Sequence, residues 1–265
     1  GNGGIKDRLY VSDLGSNANS SGTLDTAIHG LSLPVGGSVG FVSVEQVEIQ
    51  LGGGNNTFGV EQLASTTNAV IYGGSGKDTL NVGGATNGLN DIDGVLTFYG
   101  QTGSDTLNAY DSSDTVANTG QLTAINLTGL GMGTNSWLSV HIAMDALLTV
   151  PAGTTPCTQN NSCDAAIYYG TRNAADVISS DVEFVNVYLG SGNDTLRVDS
   201  AYPQGQTRVH GGAGDDRFEI EATPYGLHPN SLRRVDNVGG SLFVYGEGGS
   251  DYVIVNDSGD SVANS

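Results

Sequence analysis

The sequence predicts an all-β chain wound as a right-handed parallel β-helix, a β-solenoid, with Gly/Asp-rich turns stacked on one edge. Three observations carry that expectation. The 265 residues include 41 Gly and are 37% apolar but only 7% aromatic, and they are too poor in Leu, Lys and Glu for a helical protein. Short runs of alternating apolar residues sit between clusters of Gly, Asn, Asp and Ser, the pattern of strands and turns. One motif also returns at intervals of about 22 to 35 residues, a spacing that suits one coil of a solenoid better than a hairpin.

The motif is clearest in VYLGSGNDTLRV at 187–198. Val185, Val187 and Leu189 alternate before the turn, and Leu196 and Val198 after it, so two short strands flank a corner. The glycines allow the positive φ that a sharp corner requires and bare the backbone carbonyls, while the Asp supplies charge. Further copies are YGGSGKDTLNV at 72–82, YGQTGSDTLNA at 99–109, HGGAGDDRFEI at 210–220 and YGEGGSDYVIV at 245–255, with a weaker LGGGNNTFGV at 51–60. Stacked coils lie about 4.8 Å apart, which brings the Asp of one turn within reach of the carbonyls of the next. A hard cation can then be shared between them.

A longer repeat contains these copies. VEQVEIQLGGGNNTFGV at 44–60 matches VEFVNVYLGSGNDTLRV at 182–198, and Gly73 to Asp78 matches Gly211 to Asp216, each with an offset of 138. A third element follows each set: YVSDLGSNANSSGTLDTAIHGL from 10, AYDSSDTVANTGQLTAINLTGL from 109 and IVNDSGDSVANS from 254. The expected organisation is the tail of a preceding repeat unit at 1–30, a compact unit at 31–130 and a larger unit at 131–265. Most of the extra length in the last unit is an insertion at about 131–181.

Charge narrows the function classes. The net charge is −19, from 28 acidic and 9 basic side chains. Such a chain cannot replace the counterions around phosphates, so nucleic acid is excluded as a partner. An anionic membrane surface is disfavoured on the same ground, and no run of about 18 apolar residues suggests membrane insertion. Carboxylates gathered on one edge repel one another until a divalent cation sits between them. Cys157 and Cys163 lie in TPCTQNNSCDAA, where a small disulfide staple and an oxidising, extracellular setting are expected, with two free thiols as the alternative. His29, His141, His210 and His228 are scattered away from the cysteines, which disfavours zinc. With no signal-like start and no initial Met, the chain reads as a mature segment.

The pattern Gly-Gly-x-Gly-x-Asp-x-apolar-x, present as Gly73 to Asn81 and Gly211 to Glu219, resembles the nonapeptide calcium-binding repeat of the RTX (haemolysin-type) proteins. The resemblance implies Ca²⁺ as cofactor, bound within a parallel β-roll by the Asp carboxylate and the glycine-region carbonyls. Carried over position by position, it points to Asp78, Asp105, Asp194, Asp216 and Asp251, with Asn56 in the equivalent place of the weak copy. Asp215 beside Asp216 is a further candidate, and the glycine-region positions are Gly74, Gly76, Gly103, Gly190, Gly192, Gly212 and Gly214. Family repeats follow one another every nine residues, whereas these copies are separated by long coils, so the ion count does not carry over. The longer arrangement is similar to very large secreted surface proteins that bear such turns in arrays. The competing reading is that Asn and Asp in such turns only hydrogen-bond local backbone. For the pairs Asp111/Asp114 and Asp257/Asp260, three residues apart, a solvated turn and a metal site both stand.

Sequons occur at Asn19, Asn55, Asn126, Asn160, Asn193 and Asn256. Asn55 and Asn193 share a place in the motif where a glycan would crowd a metal turn, which leaves Asn126 and Asn160 as the favoured glycosylation sites. The expected function is a structural, calcium-binding repeat segment of a long extracellular fibre, filament or surface array, and not an enzyme. An adhesin module binding glycans or a surface is the alternative, and an exposed aromatic platform would favour it. A polysaccharide-active β-helix enzyme comes third; it would need an acid-lined groove with a non-repeating basic residue, whereas Lys77, Arg197 and Arg217 form no shared cluster. Neither end carries a recognisable cap, so end-to-end self-association or continuation in a longer chain is expected.

Overall fold

A computed structural model describes residues 7–135, 163–172, 178–220, 235 and 238–258. Cys157, Asn160 and Asp260 lie outside the described residues, so the expectations that rest on them stand as expectations. The described chain is all-β, with a single 3-10 turn at Leu89–Asp91. Alternation decides which side of each strand is buried. In Asn68–Gly76 the residues Ala69 and Ile71 are buried, and in Val95–Gly103 the in-register Leu96 and Phe98 are buried. Each coil thus adds one layer to an apolar column, and full burial of a side chain such as Phe98 is worth roughly 1.5–3 kcal/mol.

Two large sheets share this core. The first runs in the order Arg8–Ser12, Gln46–Gln50, Asn68–Gly76, Val95–Gly103, Ala166–Tyr168, Asn126–Gly129, Thr119–Leu122, Thr195–Val198, Arg217–Ile220, Tyr252–Val255. The second runs Ser241–Tyr245, Gln206–His210, Phe184–Tyr188, Thr106–Tyr110, Thr79–Val82, Thr57–Val60, Ser21–Leu24, Ala27–Gly30, Ser38–Gly40. Strands from successive copies of the motif pair in parallel, for example Thr57–Val60 with Thr79–Val82 and Gln206–His210 with Ser241–Tyr245. Both sheets are nevertheless mixed. Asn126–Gly129 pairs antiparallel with Thr119–Leu122 and with Ala166–Tyr168, and Ala27–Gly30 pairs antiparallel with both of its neighbours. The two hairpins come from the related segments SGTLDTAIHGL and GQLTAINLTGL.

One expectation is corrected: the turns do not share one edge. In the first half of the chain they carry it from the first sheet to the second, at the C-terminal ends of Gln46–Gln50, Asn68–Gly76 and Val95–Gly103. In the second half they run from the second sheet to the first, at the N-terminal ends of Thr195–Val198, Arg217–Ile220 and Tyr252–Val255. Every one of these first-sheet strands points the same way, because Ala166–Tyr168 is parallel to Val95–Gly103 and two antiparallel steps lead on to Thr119–Leu122. The turns at 189–194, 211–216 and 246–251 therefore lie on the edge opposite those at 51–56, 73–78 and 100–105. The change of edge enters where Phe184–Tyr188, a strand that precedes a turn, pairs beside Thr106–Tyr110, a strand that follows one.

Candidate metal centre

Each turn aspartate faces inward because it shares a face with the buried residue two places on, as with Asp78 and Leu80 or Asp216 and Phe218. Asp78, Asp105, Asp194 and Asp216 are all at most 1% exposed. Their carboxylates form two ladders. On the first edge the Asn56 N–H donates to Asp78 Oδ1 at 2.8 Å, and the Asp78 N–H to Asp105 Oδ1 at 2.8 Å. On the second, the Asn118 N–H donates to Asp194 Oδ1 at 2.7 Å, Asp194 N–H to Asp216 Oδ1 at 2.8 Å, and Asp216 N–H to Asp251 Oδ1 at 3.0 Å. One carboxylate oxygen per turn is thereby used to register the neighbouring coil, as the local hydrogen-bonding alternative required.

The other oxygen is not used that way: at Asp194 it accepts from the Gly190 N–H of the same turn at 3.3 Å, and at three other turns it has no partner. Oδ2 of Asp78, Asp105 and Asp216 is buried with no hydrogen-bond partner. Beside it lies another acceptor. A Cβ on Gly73 would sit 2.7 Å from both Asp78 Oδ2 and the Gly100 carbonyl oxygen, and one on Gly211 would sit 2.6 Å from Asp216 Oδ2 and 2.5 Å from the Gly246 oxygen. Asn56 shows what this environment asks for. Its amide nitrogen donates to the Gly52 and Gly54 carbonyls at 3.2 and 2.8 Å. The carboxylates of Asp78, Asp105 and Asp216 have no hydrogen to give, and an unpartnered buried acceptor costs about 1–3 kcal/mol. A cation or a proton removes that cost.

The protonation behaviour agrees. Burial pushes the Asp105 carboxyl up to about 7, against the hydrogen bond from Asp78 N–H and helped by the charges of Asp78, Glu183 and Asp181. Burial likewise takes Asp216 up to about 6 and raises Asp78 and Asp194. The glycines serve two purposes. Gly74, Gly76, Gly212 and Gly214 adopt positive φ, between 86° and 126°, as the motif predicts. Gly190 and Gly192 do not; they are needed because a Cβ would meet the carbonyl oxygens of Asp114 at 2.3 Å and Val116 at 2.5 Å in the adjoining coil. Gly103, at φ 149°, abuts the Gly76 oxygen.

Other candidates separate by position. Asp215 is exposed and belongs to an outer row, where Asn193 Oδ1 accepts from Asp215 N–H and Asp215 Oδ1 from Ser250 N–H. Asn55 and Asn19 hold the same outer places on the first edge. Asp251 is partly exposed, at the far end of the second ladder. Asp114 is a satisfied carboxylate. Burial works against its charge, but Val116 N–H, Asn90 and Asn118 hold it below its ordinary range. Asp111 is different: it accepts from Leu89 N–H, its Oδ2 is buried without a partner, and burial pushes it up to about 7. Asp257 accepts from Val235 N–H in the corresponding way.

Three acidic side chains escaped the motif. The Asp105 N–H donates to Glu183 Oε2 at 2.6 Å and the Gln101 N–H to Asp181 Oδ2 at 2.8 Å. The same clamp joins Asp7 N–H to Glu45 Oε2 at 2.8 Å. Glu45 and Glu183 are related by the 138-residue offset, which is the signal that could have found them. Among the described residues no three His, Cys, Asp or Glu side chains converge to hold a metal by themselves. An ion on these edges would have to combine single carboxylates with carbonyl oxygens, which suits a hard cation such as Ca²⁺.

Comparison with known families matches residues 67–89 and 97–118 to a model described as the RTX calcium-binding nonapeptide repeat (4 copies). These segments contain Asp78, Asp105, Asp111 and Asp114. No curated protein and no solved structure matches the chain.

Proposed function

Because the chain carries RTX-type calcium-binding repeats, we propose that it is a structural segment of a long extracellular fibre, filament or surface array, stiffened by Ca²⁺ along its turns. In this reading the segments 31–130 and 131–265 are repeat units of a right-handed parallel β-solenoid. The observation that carries it is the pairing of orphaned Oδ2 atoms with carbonyl oxygens at Asp78, Asp105 and Asp216, set against the amide of Asn56. Asp78, Asp105, Asp194, Asp216 and Asp251, with the carbonyls of the neighbouring glycines, would hold the ions. Bound calcium supplies positive charge between groups that can only accept.

The surroundings support scaffolding. Tyr110, Tyr188, His210 and Tyr245 stack in one row with ring centroids 4.6–4.8 Å apart. Their faces cover one another, so the row is not an open platform for sugar rings, and the adhesin alternative gains nothing from it. Arg197 and Arg217 are engaged by Asp199 and Glu219, two residues along the same strand face. The reading assigns no catalytic residue. End-to-end self-association or continuation in a longer chain is supported by Val253, which continues the buried column of Leu196 and Phe218 yet is 53% exposed. Proteins with repeats of this type are typically secreted.

Calcium titration followed by circular dichroism and thermal melting tests the proposal. Each independent site should stabilise the fold by ~2.7 kcal/mol when free calcium is a hundredfold above its dissociation constant, a rise in Tm of roughly 5–10 °C per site. An unchanged melt in chelator would sink it.

A further inference from the structure

The last turn of the first ladder has no glycine-rich turn beneath it. Its neighbour is the segment Asp181-Val182-Glu183, more than 75 residues along the chain. This segment reproduces the contacts that the next turn makes elsewhere. A Cβ on Gly100 would lie 2.5 Å from Asp105 Oδ2 and 2.3 Å from the Asp181 carbonyl oxygen, as the one on Gly73 lies against Asp78 Oδ2 and the Gly100 oxygen. Asp105 is fully buried, and its Oδ2 has no partner. Two more carboxylates flank it, each tied to this turn through one oxygen: Glu183 by the N–H of Asp105 and Asp181 by that of Gln101. The Asp105 carbonyl in turn accepts from the N–H groups of Glu183 and Phe184, at 3.1 and 3.0 Å.

We propose that Asp181 and Glu183 complete a divalent-cation site with Asp105, in which Asp105 Oδ2 and the Asp181 carbonyl oxygen meet the ion under the charge of both neighbouring carboxylates. The site would join the coils on either side of the 131–181 insertion, so one ion would tie segments that are distant in sequence. It rests on the calcium reading above but assigns residues outside the repeat motif. The related clamp of Asp7 and Glu45 has Ser43 at the position of Asp181, so the full acid set belongs to this junction alone among the described residues.

The double variant Asp181→Asn/Glu183→Gln keeps the acceptor oxygens for Gln101 and Asp105 N–H and removes only charge. Native mass spectrometry of the full chain titrated with Ca²⁺ should show one fewer tightly held ion than the unaltered chain. Affinity at that step should fall by about tenfold or more, while the melt in chelator is unchanged or raised. Should the double variant fail to fold, Asp181→Asn alone should show the same loss in smaller degree. A double variant that binds as many ions as tightly as the unaltered chain overturns this inference and leaves the turn sites standing. An unaltered chain that takes up no Ca²⁺ overturns the calcium reading itself.

Discussion

The turns at 51–56 and 73–78 lie side by side on one edge but differ in backbone, since Gly74 and Gly76 adopt positive φ where Gly52 and Gly54 do not, and in the inward group. At Asn56 the inward group is an NH₂ that donates to the Gly52 and Gly54 carbonyls; at Asp78 it is an oxygen with nothing to donate. Each uses Oδ1 to accept a backbone N–H from the coil above, Ser20 in one case and Asn56 in the other, and Asn56 Oδ1 also accepts from the Ser20 hydroxyl. The first turn is complete as a neutral polypeptide. The second is complete only when something positive joins it. The difference separates a turn residue that merely registers the backbone from one that also demands a ligand.

The two kinds of turn should separate most visibly with pH. Without metal, the carboxyls of Asp105 and Asp216, raised by burial to about 7 and about 6 from an ordinary 3.8, favour the protonated fold. Stability in chelator should therefore be highest near pH 4 and fall as pH rises through 6 to 7, where both must carry unpaired charge. With calcium present the charged forms are the ones that bind, so the decline should flatten or reverse, and calcium affinity should weaken below about pH 6. Equal melting profiles with and without calcium across this range would erase the distinction between the two kinds of turn.

A smaller effect is expected from Asp216→Asn, which puts an amide at the inward position of a turn on the opposite edge. It should abolish one calcium-dependent increment of Tm while stabilising the ion-free chain by about 1–3 kcal/mol, because the orphaned acceptor is replaced by a donor. Asp199→Asn is the control. Asp199 is a buried carboxylate already held by Arg197 at 2.7 Å and by Gln121; its replacement should leave calcium binding unchanged. Equal losses at both positions in a calcium titration would point to general acidity rather than turn geometry. The converse change, Asn56→Asp, should give the smallest response. It should lower stability in chelator by about 1–3 kcal/mol and restore it with calcium, with only Asp78 beneath to reinforce the charge.

Much of this was legible in the sequence because it depends on local spacing. Alternation of Val185, Val187 and Leu189, or of Leu196 and Val198, specifies strands whatever they pair with. The motif fixes which glycines and which carboxylate build each turn, since Gly212, Gly214 and Asp216 lie within five residues, while the carbonyl beside Asp216 Oδ2 comes from Gly246 in the adjoining coil. What the sequence could not decide is where each turn goes once the coils stack. The edge of the second set depends on Phe184–Tyr188 pairing beside Thr106–Tyr110, and no local pattern records that long-range choice. Nor could the motif reveal Asp181 and Glu183, which sit in the ordinary strand approach DVEFV. They enter the site only because parallel pairing of Thr106–Tyr110 with Phe184–Tyr188 brings them under Asp105. The orphaned oxygens are likewise a tertiary result: an aspartate becomes a demand for positive charge only when neighbouring coils exclude water from one of its oxygens and present it with nothing but acceptors.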